Sequence, residues 1–315
     1  MSRKKIIRIT TISFSLDTLL KGQLSFLNNY YEVVGIASGK KELQKVSKRE
    51  DIRVINIPMS REISLWQDLR SLILLVALFI KERPYIVHAN TPKASLLAMV
   101  AAWVTRVPYR IYTVTGLRFE TAIGNFRKLL IAMEKITCWC ATKVIPEGEG
   151  VKKALIREKI TNRPLRVILN GNINGIDTQH YDRTTLVNLL ASEIREKDKF
   201  TFCFVGRLVR DKGINELVFA FVRLYEQNVG VRLILVGPFE KELDPVLPET
   251  EWQILNHTAI SFVGFQQDIR PYLAASDALA FPSYREGFPN VVLQAGAMGL
   301  PSIVTDINGC NEIIE

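Results

Sequence analysis

A glutamate near the end of the chain stands where a loop gives way to a helix. It is Glu286, in the stretch Ser283-Tyr284-Arg285-Glu286-Gly287-Phe288-Pro289-Asn290. Pro289 suits the first position of a helix, because proline has no N–H and an N–H at that position has no partner within the helix. Gly299 followed by Pro301 predicts the end of that helix. Free N–H groups at a helix N-terminus favour an anion. A carboxylate beside such a place suggests a ligand that has both hydroxyl groups and phosphates, and a nucleotide-activated sugar fits that description.

Two cations follow a predicted strand earlier in the chain. The segment Phe204-Val-Gly206-Arg207-Leu-Val-Arg210-Asp211-Lys212-Gly213 predicts a strand, a tight turn and the start of a helix. Open α/β sheets bind ligands at the carboxyl ends of their strands. A diphosphate there could be held by the planar fork of Arg207 and the point charge of Lys212. The alternative is a solvated basic loop, and Arg210 in particular suits solvent.

Both segments resemble the donor-site signature of a known family, the retaining glycosyltransferases of the GT-B fold, family 4 ("glycosyl transferases group 1"). The family has two glutamates flanked as E-G-F-P-N and A-x-x-x-G-x-P, and an earlier G-R-L-x-x-x-K-G element. The resemblance implies that Arg207 and Lys212 grip the donor's diphosphate and that Glu286 binds sugar hydroxyls. The second glutamate is Gln294 here, which keeps one carbonyl acceptor for the ribose hydroxyls and loses the charge. We therefore expect weaker nucleotide binding rather than none, with a structural role for Gln294 as the alternative.

The resemblance predicts a donor site that needs no metal and no cofactor. Its predicted members are Gly206, Arg207, Lys212, Glu286, Gly287, Phe288, Pro289, Asn290, Val291 and Gln294. Fixed positive groups aimed at the leaving diphosphate stabilise its developing charge, so Arg207, Lys212 and Glu286 are the predicted catalytic residues. A front-face mechanism with retention requires no protein nucleophile, and the leaving phosphate can take the acceptor's proton.

The first domain is expected to carry the acceptor. Gly22 and Gln23 follow the first predicted strand, where the family has a glycine-containing loop beside the donor diphosphate. His88 opens the segment His-Ala-Asn-Thr-Pro-Lys, which resembles the family's H-x-H/N-T-P-K. This places His88 near the cleft between domains, and a satisfied core histidine is an equal alternative. Thr115, followed by Gly116, stands where relatives often have a histidine, and threonine cannot serve as a general base.

Strand-like and helix-like patterns alternate along the chain, which predicts parallel α/β sheets. Predicted strands are 6–12, 32–37, 52–57, 85–89, 110–114, 143–146, 166–169, 200–205, 232–236, 260–263, 278–281 and 302–305. Predicted helices include 66–81, 92–105, 126–140, 215–227 and 268–275.

A segment rich in asparagine and glycine, 170–177, interrupts the alternation, and such residues favour turns. It divides an acceptor-side domain, 1–170, from a donor-binding domain, 171–315. The resemblance implies two facing Rossmann-like domains of the GT-B fold. Because the chain stops where a further helix would begin, comparison with the family predicts an incomplete C-terminal domain.

Length and composition agree with two globular domains. Of 315 residues, 48% are hydrophobic and 23% are charged, which argues against disorder. The net charge of +9 and a pI of about 9.4 indicate acidic partners such as phosphorylated ligands or an anionic membrane face. No basic helix or aromatic-rich strand indicates nucleic-acid binding. The four cysteines are irregularly spaced, which favours core thiols in a reducing compartment over a zinc site.

The sequence also predicts where the protein works. No signal peptide follows the start of the chain, so a cytoplasmic location is expected. The longest apolar run, Leu72 to Ile80, is shorter than the roughly 20 residues that span a bilayer. It predicts a buried helix or, alternatively, a surface helix that contacts the inner face of the plasma membrane.

The expected function is transfer of a sugar, with retention, from a nucleotide-sugar, first of all a UDP-sugar. The acceptor would be a saccharide or a polyprenyl-diphosphate-linked saccharide in capsule, O-antigen or exopolysaccharide synthesis. One alternative is a UDP-sugar 2-epimerase of the same fold, against which the low histidine count of three argues. The other is a non-catalytic remnant or nucleotide-sugar-binding partner, which Gln294 and Thr115 favour.

Overall fold

The chain consists of two compact units that divide after Asn174. The computed structural model describes residues 3–242 and 244–314. Each unit has its own parallel sheet and its own apolar core. The division falls within the segment 170–177 that interrupts the sequence pattern.

The first unit is a doubly wound α/β layer. Its described strands are β1 (Lys5–Ile12), β2 (Glu32–Ser38), β3 (Arg53–Asn56), β4 (Ile86–Ala89), β5 (Tyr109–Val114) and β6 (Lys143–Pro146). Its described helices are α1 (Ser13–Leu19), α2 (Gln23–Asn28), α3 (Lys40–Glu50), α4 (Leu65–Glu82), α5 (Pro92–Val104), α6 (Gly124–Cys140) and α7 (Glu149–Arg157). The strands are parallel, in the order β3-β2-β1-β4-β5-β6. The winding reverses between β1 and β4, and ligands of such sheets bind outside the carboxyl ends at that point.

Helices cover both faces of the first sheet. Right-handed crossovers place α4, α5 and α6 on one face, where α4 packs on α5 and α5 on α6. α1 packs on α3 on the other face, over a separate apolar cluster that includes Leu16 and Leu43. Most residues of the central helix α5 are buried, whereas Trp103 and Val104 at its end are exposed.

Helix α4 carries the apolar run 72–80 and is neither fully buried nor fully exposed. Its Ser71, Leu75 and Phe79 are buried, whereas Ile73 and Ile80 face solvent. Within the described ranges, no helix combines the length and the apolar character that crossing a bilayer requires.

The second unit is a smaller α/β layer. Its described strands are β7 (Phe200–Val205), β8 (Val231–Val236), β9 (Ile260–Gly264), β10 (Ala278–Phe281) and β11 (Ser302–Val304). Its described helices are α8 (Thr185–Ile194), α9 (Ile214–Gln227), α10 (Pro248–Asn256), α11 (Arg270–Ala274), α12 (Asn290–Ala297) and α13 (Cys310–Ile313). The order is β11-β10-β7-β8-β9, again all parallel. Its winding reverses between β7 and β10, so the loops that follow these two strands meet.

Most predicted elements agree with the structure to within two residues at each end, but the predicted strand 166–169 is wrong. These residues pair with no strand of the described chain, and Leu169 is exposed with φ of 50°. The alternation of apolar residues there lacks a neighbouring strand to pair with. The predicted helical position of Pro289 is also wrong by one residue. It is the N-cap of α12, with ψ of 112°, because its fixed φ suits the extended residue before a helix as well as the first helical one.

The four cysteines agree with the prediction of core thiols. Cys138, Cys140, Cys203 and Cys310 are all buried and unbridged.

Candidate active site

Lys212 and Glu286 are in direct contact, although they are far apart in the sequence. Lys212 lies in the loop after β7, and Glu286 lies in the loop after β10. Because the two strands are adjacent and parallel, both loops leave the same edge of the sheet. The Lys212 ammonium donates to the Glu286 carboxylate, and both side chains are more than four-fifths buried. The structure thus brings together a cation that suits a phosphate and a carboxylate that suits hydroxyl groups.

The loop that carries Lys212 is fixed against the end of β10. Arg210–Lys212 form one turn of 3-10 helix, which Gly213 ends with φ of 69°. A Cβ atom on Gly213 would lie 2.0 Å from the carbonyl oxygen of Pro282, so only glycine allows this approach. The backbone N–H of Tyr284 then donates to the carbonyl oxygen of Asp211 over 2.9 Å. The positions of the two charged side chains therefore follow from backbone contact between their loops.

Arg285 reinforces the same junction. Its guanidinium donates to the Asp211 carboxylate over 2.7 Å, and the Asp211 N–H donates to the Asp244 carboxylate over 2.7 Å. Asp211 thus ties the loop after β7 to the loops on both sides of it.

Arg207 lies at the rim of this site. Its guanidinium pairs with the Glu240 carboxylate in the loop after β8, and its side chain is about half exposed. Arg210 is exposed. Of the two predicted diphosphate-binding cations, Lys212 is thus enclosed and Arg207 is open to solvent. Gly206, immediately before Arg207, donates its N–H to the carbonyl oxygen of Val236 over 2.9 Å and aligns the two loops.

Helix α12 begins behind Glu286. Gly287, Phe288 and Pro289 are buried, and Asn290 and Val291 are partly exposed at the first turn. The C-terminal end of α12 is closed by N–H groups of residues 299 and 300 that donate to carbonyl oxygens of residues 296 and 295, a Schellman motif.

Gln294, on α12, has a partner that the sequence did not indicate. Its side-chain amide donates to the Tyr181 hydroxyl over 2.8 Å. Burial and the nearby Asp268 raise the pKa of Tyr181, so the phenol stays neutral and can accept this bond. With the amide nitrogen committed to Tyr181, the carbonyl oxygen of Gln294 is the atom that can accept a hydroxyl group.

Cys310 lies beneath Glu286. Burial, and after it the Glu286 carboxylate, raise the pKa of this thiol to about 12. The preceding Gly309 approaches the same loop, because a Cβ atom there would lie 2.4 Å from the carbonyl oxygen of Gly287. Residues 309 and 310 therefore support the Glu286 loop from the inside.

His88, in the first unit, has both ring nitrogens in use. Arg8 donates to Nδ1 over 2.8 Å, and Nε2 lies 2.8 Å from the Thr113 hydroxyl. Because a guanidinium only donates, Nδ1 must accept, so the ring carries its proton on Nε2 and donates it to Thr113. Burial, and then Arg8, keep the pKa of His88 well below its usual value. Both ring nitrogens are thus satisfied within the first unit, as in the alternative that the sequence left open, and the side chain is half-buried.

The Gly22 loop already holds an anion from its own unit. The Glu50 carboxylate accepts from the N–H groups of Gly22 and Ser25, over 3.0 and 3.1 Å. Burial alone would raise the pKa of Glu50, but these donors and Arg49 bring it below its usual value. The side chain of Gln23 turns to the carbonyl oxygen of Ile173, 3.2 Å away. The loop that the resemblance places beside the donor diphosphate therefore has an internal partner for two of its backbone N–H groups.

Thr115 and Gly116 lie at the carboxyl end of β5. The Thr115 hydroxyl donates to the carbonyl oxygen of Asn90 over 2.8 Å, and Gly116 is buried. Thr115 is thereby held next to the end of β4. Over residues 3–242 and 244–314, no three His, Cys, Asp or Glu side chains cluster closely enough to hold a metal ion.

Models of two protein families match the chain. The "Glycosyl transferase 4-like domain" matches residues 29–171, and "Glycosyl transferases group 1" matches residues 199–315. The capsular polysaccharide biosynthesis glycosyltransferase CapM of Staphylococcus aureus is 34% identical over 319 residues, covering 100% of this chain and 82% of CapM. The UDP-Gal:alpha-D-GlcNAc-diphosphoundecaprenol alpha-1,3-galactosyltransferase of Escherichia coli is 31% identical over 273 residues, covering 84% of this chain and 69% of that enzyme.

A solved structure shares the fold. Anabaena Alr3699/HepE in complex with UDP and glucose superposes with a TM-score of 0.79 at 19% identity, covering 99% of this chain and 83% of HepE. At that identity the likeness concerns the fold. The two parallel sheets and this likeness show the GT-B fold. The two family models and the two relatives above 30% identity show that the chain belongs to the family-4-like group 1 glycosyltransferases.

Proposed function

We propose that this glycosyltransferase transfers a sugar from a UDP-sugar, with retention at the anomeric carbon, to a polyprenyl-diphosphate-linked saccharide or another saccharide acceptor. The pathway would be the synthesis of a surface polysaccharide such as a capsule. The observation that carries the proposal is the contact between Lys212 and Glu286 where the winding of the second sheet reverses. The relatives' names support the rest: CapM acts in capsular polysaccharide biosynthesis, and the Escherichia coli enzyme acts with UDP-Gal and a diphosphoundecaprenol acceptor.

The chemistry assigned to each donor-side residue follows from its environment. Lys212 and Arg207 bind the diphosphate and stabilise the charge that develops on it as the sugar–oxygen bond breaks. Glu286 accepts hydrogen bonds from sugar hydroxyls. Gln294 accepts from the ribose through its carbonyl oxygen while Tyr181 holds its amide. The leaving phosphate takes the proton of the acceptor hydroxyl, so the proposal assigns no protein base and no metal.

The acceptor is assigned to the first unit. His88, Thr115 and Gly116 lie at or just after the carboxyl ends of β4 and β5, whereas Gly22 and Gln23 lie beyond helix α1, at the start of α2. In this proposal they shape the acceptor side rather than transfer protons, because His88 is neutral and uses both ring nitrogens. That geometry also argues against the epimerase alternative, which needs acid–base groups around the sugar.

Calorimetric titration with UDP, GDP and ADP tests the donor assignment. We expect UDP to bind and the Arg207→Ala and Lys212→Ala variants to lose roughly 1.5–3 kcal/mol each, as for charged hydrogen bonds. Arg210→Ala is the control, because Arg210 is exposed on the same loop. Unchanged affinity in both variants would overturn the site.

Product analysis tests the transfer itself. Incubation with a UDP-sugar and a polyprenyl-diphosphate-linked saccharide should give a new glycoside with the donor's anomeric configuration. A folded protein that binds UDP but forms no glycoside with any acceptor would instead support the non-catalytic, nucleotide-sugar-binding alternative.

A further inference from the structure

Helix α4 exposes an apolar stripe although its opposite face is already packed. Trp66, Leu69, Ile73 and Ile80 recur at helical spacing and are between 48% and 83% exposed. The buried face of the helix serves the core of the unit. Core packing therefore does not account for the exposed stripe.

Helix α6 repeats this arrangement on the same side of the sheet. Leu129, Ile136 and Trp139 are exposed along it at intervals of seven and three residues. Trp103, at the end of α5, meets Trp139 with ring centroids 4.9 Å apart. Because α4, α5 and α6 lie side by side on one sheet face, their outer faces form one surface. We call it the α4–α6 surface, defined by Trp66, Ile73, Trp103, Leu129, Ile136 and Trp139.

The charges on this surface have one sign. Every residue of α4 and α6 lies within the described ranges. The exposed charged side chains of these two helices are all basic: Arg70, Lys81, Lys128 and Lys135.

The acidic residues of the two helices have partners. Asp68 bonds to Lys93 over 2.7 Å, and Glu82 pairs with Lys5 over 2.6 Å. Glu134 is buried against Tyr112. The outer faces of α4 and α6 are thus apolar and basic.

Basic and apolar side chains also lie together at the edge of the α4–α6 surface. Ile136 and Trp139 line a shallow cavity of about 560 Å³ together with Lys135, Lys159 and Arg163. Large exposed apolar areas with a polar rim mark interaction sites in soluble proteins.

We propose that the α4–α6 surface docks on a lipid bilayer that contains anionic lipids. Tryptophans and aliphatic side chains enter the headgroup region, and lysines and arginines beside them are attracted by anionic lipids at about 1 kcal/mol each. A second copy of this chain is a poorer partner, because a two-fold contact would bring two faces together whose exposed charges are both basic. The inference deepens the proposed function, since a polyprenyl-linked acceptor resides in a bilayer.

Tryptophan fluorescence reads this docking directly. The chain has four tryptophans, of which three define the surface and the fourth, Trp252, lies on α10 of the second unit. Trp139 and Trp252 are equally exposed, at 61%. With vesicles of phosphatidylglycerol and brominated phosphatidylcholine, we expect quenching in Trp252→Phe, which keeps the three surface tryptophans. We expect none in the Trp66→Phe, Trp103→Phe, Trp139→Phe triple variant, which keeps Trp252 alone.

Cosedimentation with the same vesicles measures affinity. Ile73→Glu, at 60% exposure, should weaken binding by about tenfold or more, because it places an anion against anionic lipid. Phe219→Glu is the matched control, at 65% exposure on α9 of the second unit, and should bind as the parent does. Both positions are exposed, so circular dichroism should show an unchanged fold.

Three outcomes would overturn the proposal. The first is binding to pure phosphatidylcholine vesicles as tight as to the anionic ones. The second is quenching in the triple variant, which keeps Trp252, but not in Trp252→Phe. The third is a dimer in ultracentrifugation without vesicles whose contact buries the three tryptophans. The measurements contain no donor or acceptor, and the calorimetric titration of UDP contains no vesicles. Failure of docking and failure of the proposed function are therefore separate results.

Discussion

Glu134 is a carboxyl group enclosed by the core of the first unit. It lies on the inner face of α6, where the Tyr112 hydroxyl of β5 donates to it over 2.9 Å. Burial raises the pKa of Glu134 from 4.5 to about 7, although the Tyr112 bond opposes this rise. The same burial raises the pKa of the neighbouring thiol, Cys138, far beyond its usual value. Among the hydrogen bonds and ion pairs of the described residues, none joins Glu134 to a cation. Ionisation of Glu134 in the folded protein is therefore costly.

This burial predicts a stability that falls with rising pH. Below about pH 4.5 both the folded and the unfolded chain are protonated at Glu134. Between that pH and about 7 the unfolded chain loses the proton first, so the free energy of unfolding drops, by on the order of 3 kcal/mol in total. Glu134→Gln keeps an acceptor for Tyr112 and cannot ionise. Urea denaturation at pH 5.5 and pH 8 should show a smaller loss of stability in the variant, and equal losses would contradict the assignment.

The sequence predicted the charged residues of the candidate site but not their partners. Arg207, Lys212 and Glu286 stand in motifs that are legible without a structure. Tyr181, which orients Gln294, belongs to no motif and reaches α12 only when the second unit folds. Glu50 was missed for the same reason, since nothing local marks it as the carboxylate that will cap the Gly22 loop.

At the scale of elements, the junction between the loop after β7 and the end of β10 depends on a glycine. Gly213 combines a positive φ with a backbone approach that leaves no room for a methyl group. Gly296, on α12, differs in both respects, because it has helical geometry and open space around its Cα.

Alanine at these two glycines should therefore act with opposite sign. Gly213→Ala should destabilise the protein by roughly 2 kcal/mol or more, because the Pro282 carbonyl is backbone and the φ is strained for alanine. Gly296→Ala should stabilise it by about 0.5–1 kcal/mol through helix propensity. Urea denaturation of the two variants measures both values, and a neutral Gly213→Ala would mean that the two loops separate at little cost.

The sequence predicted the true strands more easily than it excluded a false one, at 166–169. Parallel strands are buried on both faces and read as short apolar runs, which is how β4 and β10 stand out. The run at 166–169 has the same character, yet β6 ends the sheet order without it. A residue pattern describes the faces of a strand and carries no information on whether another strand will pair with its edge.

At the scale of the whole molecule, the two units have separate cores. The alternation of patterns and the break at 170–177 predicted two α/β layers. The residue pattern did not predict the strand orders, because these depend on the direction in which the chain winds at each crossover. It is the strand order of the second sheet that brings the Lys212 and Glu286 loops together.

Separate cores predict separate unfolding. Calorimetric heating should show two transitions, and UDP should raise that of the second unit, since the proposed donor residues all lie there. At a concentration one hundred times its Kd, a ligand stabilises the unit that binds it by about 2.7 kcal/mol. Hydrogen exchange of peptides from each unit identifies the transitions. A shift confined to the first unit would contradict the donor assignment.

The pairing of Lys212 with Glu286 has a consequence for which molecules the site accepts. Each side chain already neutralises the other, and a charge left alone in a partly buried place is costly. A lone phosphate offers Lys212 a new partner but abandons Glu286, and a free sugar does the reverse. Only a molecule that joins both chemistries in one body compensates the pair completely. For the donor site that we propose, the intact nucleotide-sugar should therefore bind more tightly than UDP or a free sugar alone, because it alone compensates both side chains.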